Sequence, residues 1–219
     1  MSRFFCRRAF HKPGPFVPVA THAKLSTIAF NPIDGWNNRH AKRTEGQAMK
    51  VIAFNGSPRK DGNTFLLINH VFAALRNDGI DTEVYQLGGA PIHGCRACYR
   101  CFEAKNRRCA FDDDVANECI DRMARADGVI LASPTYVSDV TPEIKALIDR
   151  ACLVGKGNGG MFGRKVGAAI VAVRRGGSIH AFDTMNHFFL ISQMIIPGSD
   201  YWNMGVGHKK GEVEKDEEG

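Results

Sequence analysis

No apolar run in these 219 residues approaches the roughly 20 residues that a bilayer span requires. The longest, such as Val166–Val173, are short and diluted by small residues, so no membrane crossing is expected. The chain has no visible internal repeat and no apolar core of the kind that secretory signals carry, so one cytoplasmic domain is expected at this length. Two ligand signatures are missing as well. The G-x-G-x-x-G dinucleotide fingerprint is absent. The Gly56 to Gly62 loop places five residues between its glycines and is followed by Asn63-Thr64, whereas the P-loop of nucleotide hydrolases has about four and then Gly-Lys-Ser/Thr. A nucleoside triphosphate is thereby disfavoured.

Acidic residues are missing from the start, where the first acid is Asp34. Residues 1–48 carry Arg3, Arg7, Arg8, Lys12, Lys24, Arg39, Lys42 and Arg43 against Asp34 and Glu45, so the net charge of +6 resides there and the rest sums to zero. The folded part therefore offers no global attraction for a polyanion, and no nucleic-acid partner is expected. With four prolines and little apolar periodicity, this leader cannot form a core and is expected to be disordered. It can be a real tail, a targeting segment or an artefact of a misplaced start. The last is the expectation taken: Met49-Lys50 opens a strand, and Glu45-Gly46 can be encoded by a purine run resembling a bacterial ribosome-binding site.

What is present from Lys50 onward is an alternation of strands and helices. Val51-Ile52-Ala53-Phe54 is a short apolar strand, and an apolar-periodic helix spans 64 to about 77. Residues 82–87 alternate like an edge strand, while 129–131 and 166–173 are apolar runs of the buried parallel type. Asp112-Asp113-Asp114 offers a cap and first-turn acids for a helix to about 126, and Thr141-Pro142-Glu143 starts another with proline where its missing N–H does no harm. A further helix covers 178–192, and a weak fifth strand is placed near 194–196. This pattern predicts an α/β doubly wound parallel sheet of five strands in the order 2-1-3-4-5, which binds ligands at the strand carboxyl ends where the order reverses.

Candidate ligand residues fall at those ends. The loop after the first strand feeds a helix N-terminus, where Ser57, Asn63 and Thr64 can bind a phosphate monoester and Arg59 can add charge. After the third strand, Ser133-Pro134-Thr135-Tyr136-Val137-Ser138 offers an aromatic face for a flat ring and backbone N–H groups for its polar edge. After the fourth, Gly176 and Gly177 stand where backbone can approach a ligand and Ser178 where it can cap a helix. Each loop also admits a plain reading as a turn and cap.

The most specific signal is Cys95, Cys98, Cys101 and Cys109, spaced C-x2-C-x2-C-x7-C directly after the second strand. Three cysteines at three-residue steps can wrap three corners of a cuboidal cluster and a fourth can close it, as in the first half of bacterial ferredoxin motifs. Zinc and metal-free redox thiols are the alternatives, and disulfides are not expected without export. Arg96, Arg100, Lys105, Arg107 and Arg108 surround the thiols, with only Glu103 opposing them inside the loop. These cations would ease reduction of an anionic cluster or dock a donor. Cys6, Cys119 and Cys152 lack such spacing, and Cys119 and Cys152 read as small core residues. No role is assigned to His93, His180, His187 or His208.

Taken together, the run from Met49 to Arg59, Gly62-Asn63-Thr64, the four cysteines and Ser133-Pro134-Thr135-Tyr136 resemble the iron-sulfur flavoproteins of the flavodoxin-like NAD(P)H-dependent FMN reductase family, over residues 49–219. The resemblance implies FMN, a 4Fe-4S cluster and a homodimer or homotetramer in which cluster and flavin of different subunits come close. It implies that Ser57, Arg59, Asn63 and Thr64 face the phosphate and that Pro134, Thr135, Tyr136, Val137 and Ser138 face the ring. The activity implied is a flavin oxidoreductase taking electrons from NAD(P)H or ferredoxin to a small-molecule acceptor. A non-enzymatic carrier or sensor and a metal-free FMN reductase are the rivals. The sequence departs from the family in its leader, in the long gap before Cys109, and in stopping soon after Tyr201-Trp202-Asn203, so the domain is expected to lack its last helix.

Overall fold

The computed structural model describes residues 48–217. The expectations for the leader, Cys6 included, lie outside the described residues. Five parallel strands form one sheet in the order β2-β1-β3-β4-β5: β1 (Lys50–Asn55), β2 (Asp81–Gln86), β3 (Gly128–Pro134), β4 (Val166–Val173) and β5 (Met204–Val206). The register sets Ala53 beside Ile130 and Leu131 beside Ala169. Helices α1 (Asn63–Asn77), α2 (Arg100–Ala104), α3 (Ala116–Arg125), α4 (Pro142–Gly157) and α5 (Ser178–Ile191) fill the crossovers.

Strand alternation divides the apolar side chains between two faces. Ile52, Phe54, Leu131 and Val171 pack with α3, α4 and α5 through Ile120, Met123, Leu147, Val154, Met185 and Phe188. Ala53, Ile130 and Ala132 face Ile68 and Phe72 of α1. Among the described residues, α1 and a 3-10 turn at Glu212–Lys215 cover this second face. No described helix is long and apolar enough to cross a membrane.

The structure moves three expected features. The segment 194–196 does reach the β4 edge, but only at its start: Ile195 N–H donates to Lys165 O (2.9 Å) and Gly167 N–H to Ile195 O (2.9 Å). Pro197 then removes a ladder donor, and the fifth strand proper forms at Met204–Val206 against the far end of β4. α3 starts at Ala116, with Asp114 Oδ1 accepting from its N–H at 3.0 Å. The cap of α5 is Gly177 rather than Ser178, with φ of 87°, a left-handed turn that glycine takes without steric cost. α2, inside the cysteine loop, carries no apolar periodicity and was not expected.

Candidate active site

β1 hands the chain to α1 over a loop whose path is set by close approach. A Cβ on Gly56 would lie 2.4 Å from Ile144 Cγ1 of α4. Ser57 N–H donates to Asn55 Oδ1 (3.1 Å) and Arg59 N–H to Ser57 Oγ (3.2 Å), so the serine hydroxyl keeps its proton for an acceptor. Gly62 stands at the cap position of α1, no side chain caps the helix, and its first turn holds no acid. Its opening N–H groups and the positive end of its dipole are thereby presented to an anion.

A cleft of about 370 Å³ opens here, lined by Ser57, Arg59, Asn63 and Thr64 and, across from them, by Pro134, Thr135 and Tyr136. The N–H groups expected to meet a ring edge are engaged elsewhere: Thr135 donates to Ala172 O (2.9 Å) and Tyr136 to Asp139 O (2.8 Å). What remains is the Thr135 hydroxyl, buried without a hydrogen-bond partner among the described residues. Tyr136 is half-exposed at the rim.

Val137, Ser138, Gly176 and Gly177 do not line this cleft. Val137 and Ser138 form the tip of a tight turn between Tyr136 and Asp139, with φ of 49° and 64°. A left-handed valine is strained, and such strain gathers at ligand loops. Gly177 is required by that tip, since a Cβ there would lie 2.6 Å from Ser138 Oγ, whereas a Cβ on Gly176 would meet nothing within 4 Å.

The remaining wall was not expected from the sequence. Gly207, His208 and Lys210, after β5, line the cleft. Asn63 ties this segment to α1, its Nδ2 donating to Lys209 O (3.0 Å) and its Oδ1 accepting from Gly211 N–H (2.8 Å). Lys210 pairs with Asp61 and holds that carboxyl below the usual carboxylate range. The only local signal is a basic, glycine-flanked run, Gly207-His208-Lys209-Lys210-Gly211.

Cys95, Cys98, Cys101 and Cys109 line a second cavity together with His93, Arg96 and Arg150. Ala97, Tyr99, Lys105 and Arg107 take φ values of 49°, 56°, 47° and 65°, so left-handed residues wrap the chain around the thiols at a steric cost. The loop is pinned from behind. Buried Asn117 of α3 accepts from Cys109 N–H (2.7 Å) and donates to Cys109 O (3.0 Å). Asn158, at the end of α4, accepts from Arg107 N–H (2.7 Å) and donates to Cys101 O (3.3 Å). Arg96 stacks over Phe111, 4.2 Å from the ring centre.

Burial first, then the neighbouring Cys109, Cys98 and Cys95, push the Cys101 thiol up. Among the described residues no three His, Cys, Asp or Glu side chains form a group that would hold a single metal ion. Cys119, by contrast, lies fully buried on the inner face of α3, and burial pushes its thiol up to about 12, which makes it an inert core residue. Cys152 is half-buried against the same core.

The end of β2 braces the loop after β1. Gln86 Nε2 donates to Ser57 O (2.7 Å) and Gly88 O (2.9 Å), and a Cβ on Gly88 would lie 2.3 Å from Ser57 C. The cysteine loop thus leaves the sheet in contact with the Gly56–Gly62 loop, the candidate phosphate loop. The donor set of the first cavity fits an FMN, through the uncapped helix start, Arg59, Lys210 and the orphaned Thr135 hydroxyl, and the second brings the four thiols to one cavity.

The family described as NADPH-dependent FMN reductase matches residues 49–209. An iron-sulfur flavoprotein of Methanocaldococcus jannaschii is 36% identical over 178 residues, covering 78% of this chain and 90% of that protein. An iron-sulfur flavoprotein of Methanosarcina thermophila is 30% identical over 154 residues, covering 69% of this chain and 78% of its own length. Among solved structures, RosB with a bound 8-demethyl-8-formylriboflavin-5'-phosphate intermediate superposes with a TM-score of 0.62 at 20% identity, covering 78% of this chain and 72% of that one. A flavodoxin, WrbA-like protein from Agrobacterium tumefaciens does so with a TM-score of 0.53 at 10% identity, covering 76% and 88%. These structural likenesses establish the flavodoxin-like fold.

Proposed function

The chain belongs to the NADPH-dependent FMN reductase family, as an FMN-binding flavin oxidoreductase, and from that premise we propose that it moves electrons from NAD(P)H or reduced ferredoxin to a small-molecule acceptor by way of FMN and a 4Fe-4S cluster. The observation that carries the cluster half is that all four cysteines line one cavity, on a loop braced against the phosphate loop.

FMN, when bound, supplies the exchange between two-electron and one-electron transfer. The chain's part is to bind, orient and tune. Ser57, Arg59, Thr64 and the start of α1 would hold the phosphate monoester, and Lys210, paired with Asp61 of the Gly56–Gly62 loop, would add a cation beside it. On the other wall, Thr135 and Tyr136 would hold the ring, the first offering a hydroxyl and the second an aromatic face. Asn63 keeps the Lys210 segment in place. Cys95, Cys98, Cys101 and Cys109 hold the cluster, with Asn117 and Asn158 fixing the backbone of the ligands. A homodimer or homotetramer and a cytoplasmic location belong to the same reading.

The test is an ultraviolet-visible spectrum of protein purified without oxygen, with iron, sulfide and flavin counted in the same sample. Flavin bands over a broad absorbance, with about four irons per chain, are expected, and Cys109→Ser should lower the iron while leaving the flavin. Flavin without iron or sulfide would sink the cluster and leave an FMN reductase. NAD(P)H oxidation measured with and without an acceptor separates an enzyme from an electron carrier.

A further inference from the structure

Arg150 lies on the buried face of α4 among Leu147, Ala151 and Val154, its side chain 2% exposed and that of its partner Asp114 0% exposed. A charged side chain in that position is costly unless its donors are matched. Nη2 donates to Phe111 O at 2.7 Å, while Nη1 pairs with Asp114 and reaches His93 O at 3.4 Å. Asp114 in turn accepts from His93 N–H (2.8 Å) and Ala116 N–H (3.0 Å). His93 precedes the first cysteine of the loop and Phe111 follows the last, so one ion pair ties both ends of the loop. One nitrogen is left without a partner. Arg150 Nε is buried without a partner among the described residues, and Arg150 lines the cavity shared by the four thiols.

We propose that Arg150 is a positioning residue for the cluster: it closes the ligand loop at both ends and holds a fixed positive charge beside the thiolates. This deepens, and rests on, the cluster reading above. Asp114 does not line the cavity, so the pair presents its positive end to the thiolates and favours the more negative, reduced state. Charge and hydrogen bonding near the sulfurs are among the factors that set such potentials.

The experiment is a redox titration of the cluster-loaded protein followed by electron paramagnetic resonance, with iron and sulfide counted in every sample. Asp114→Asn retains Arg150 and removes the compensating charge. At fixed potential its reduced-to-oxidised ratio should rise about tenfold, which is about 59 mV for one electron. Arg150→Met combined with Asp114→Asn removes both charges, and its ratio should fall about three- to tenfold below wild type. Shifts of opposite sign are not produced by a clamp that acts through packing alone. Both ratios within twofold of wild type, or both displaced in the same direction, would overturn the proposal. Should the double variant fail to load iron, Asp114→Asn decides alone, and no rise overturns it. Wild-type protein without iron and sulfide would defeat the underlying cluster reading, and that result is visible before any potential is measured.

Discussion

Gly88→Ala should loosen the phosphate loop through sterics alone. Gly88 is not among the glycines with positive φ, so alanine meets no backbone penalty there. Its Cβ, however, would lie 2.3 Å from Ser57 C, 2.4 Å from Ser57 O and 2.5 Å from Gly56 O. All three are backbone atoms, held by Gln86 on one side and by the Gly56 bond to Ala132 O on the other, so no side-chain rotation relieves the clash. Overpacking of this kind costs about 1–3 kcal/mol. For a domain of this size that corresponds to a melting temperature lower by about 2–12 °C. Because the atoms displaced belong to the phosphate loop, part of the loss should appear as a smaller stabilisation by saturating FMN. Thermal melts with and without FMN measure both. Gly176→Ala is the control, since its Cβ would meet nothing within 4 Å and it too lacks a positive φ. It should be neutral or stabilise by up to about 1 kcal/mol. A Gly88→Ala protein that melts within 1 °C (about the resolution of a melt, well below the range above) of wild type in both states would refute the steric argument.

Three further outcomes follow from the same geometry. Lys210→Ala should weaken FMN about two- to fivefold, the scale of an exposed ion pair, with a gap that narrows as salt rises; equal weakening of riboflavin, which has no phosphate, would contradict it. Asn117→Ala leaves the Cys109 N–H and carbonyl without their partners and should cost about 1–3 kcal/mol, read by urea unfolding; an unchanged midpoint would show the clamp to be idle. Burial opposes ionisation of Asp114, but the His93 and Ala116 N–H groups and Arg150 outweigh it and hold its carboxyl below the usual range. A depressed folded value contributes stability that is complete above the unfolded value of about 3.9 and is lost as pH falls through the folded one. The gap in urea midpoint between wild type and Asp114→Asn should therefore close on acidification from pH 5, and a gap independent of pH would refute the assignment.

The strand order and the positions of the two candidate loops were legible because each is written locally. A parallel strand buried on both faces is a contiguous apolar run, as in Val166–Val173, and a helix repeats its apolar face within a few residues, so alternation and register follow from short windows. The four cysteines lie within one loop, and their spacing survives folding unchanged. The fifth strand was misplaced because Ile195-Ile196 has the right composition, and only the path past Pro197 shows which segment completes the ladder.

What the tertiary structure decided are the pairings between distant segments. Arg150 meets Asp114 across 36 positions, and Lys210 meets Asp61 across 149. In the sequence Arg150 is one cation inside an apolar helix face, and Lys210 is one of several in a polar stretch. Their partners are selected by which crossover lies over which strand end, so the residues that shape both cavities become visible only once the sheet has brought its carboxyl edge together.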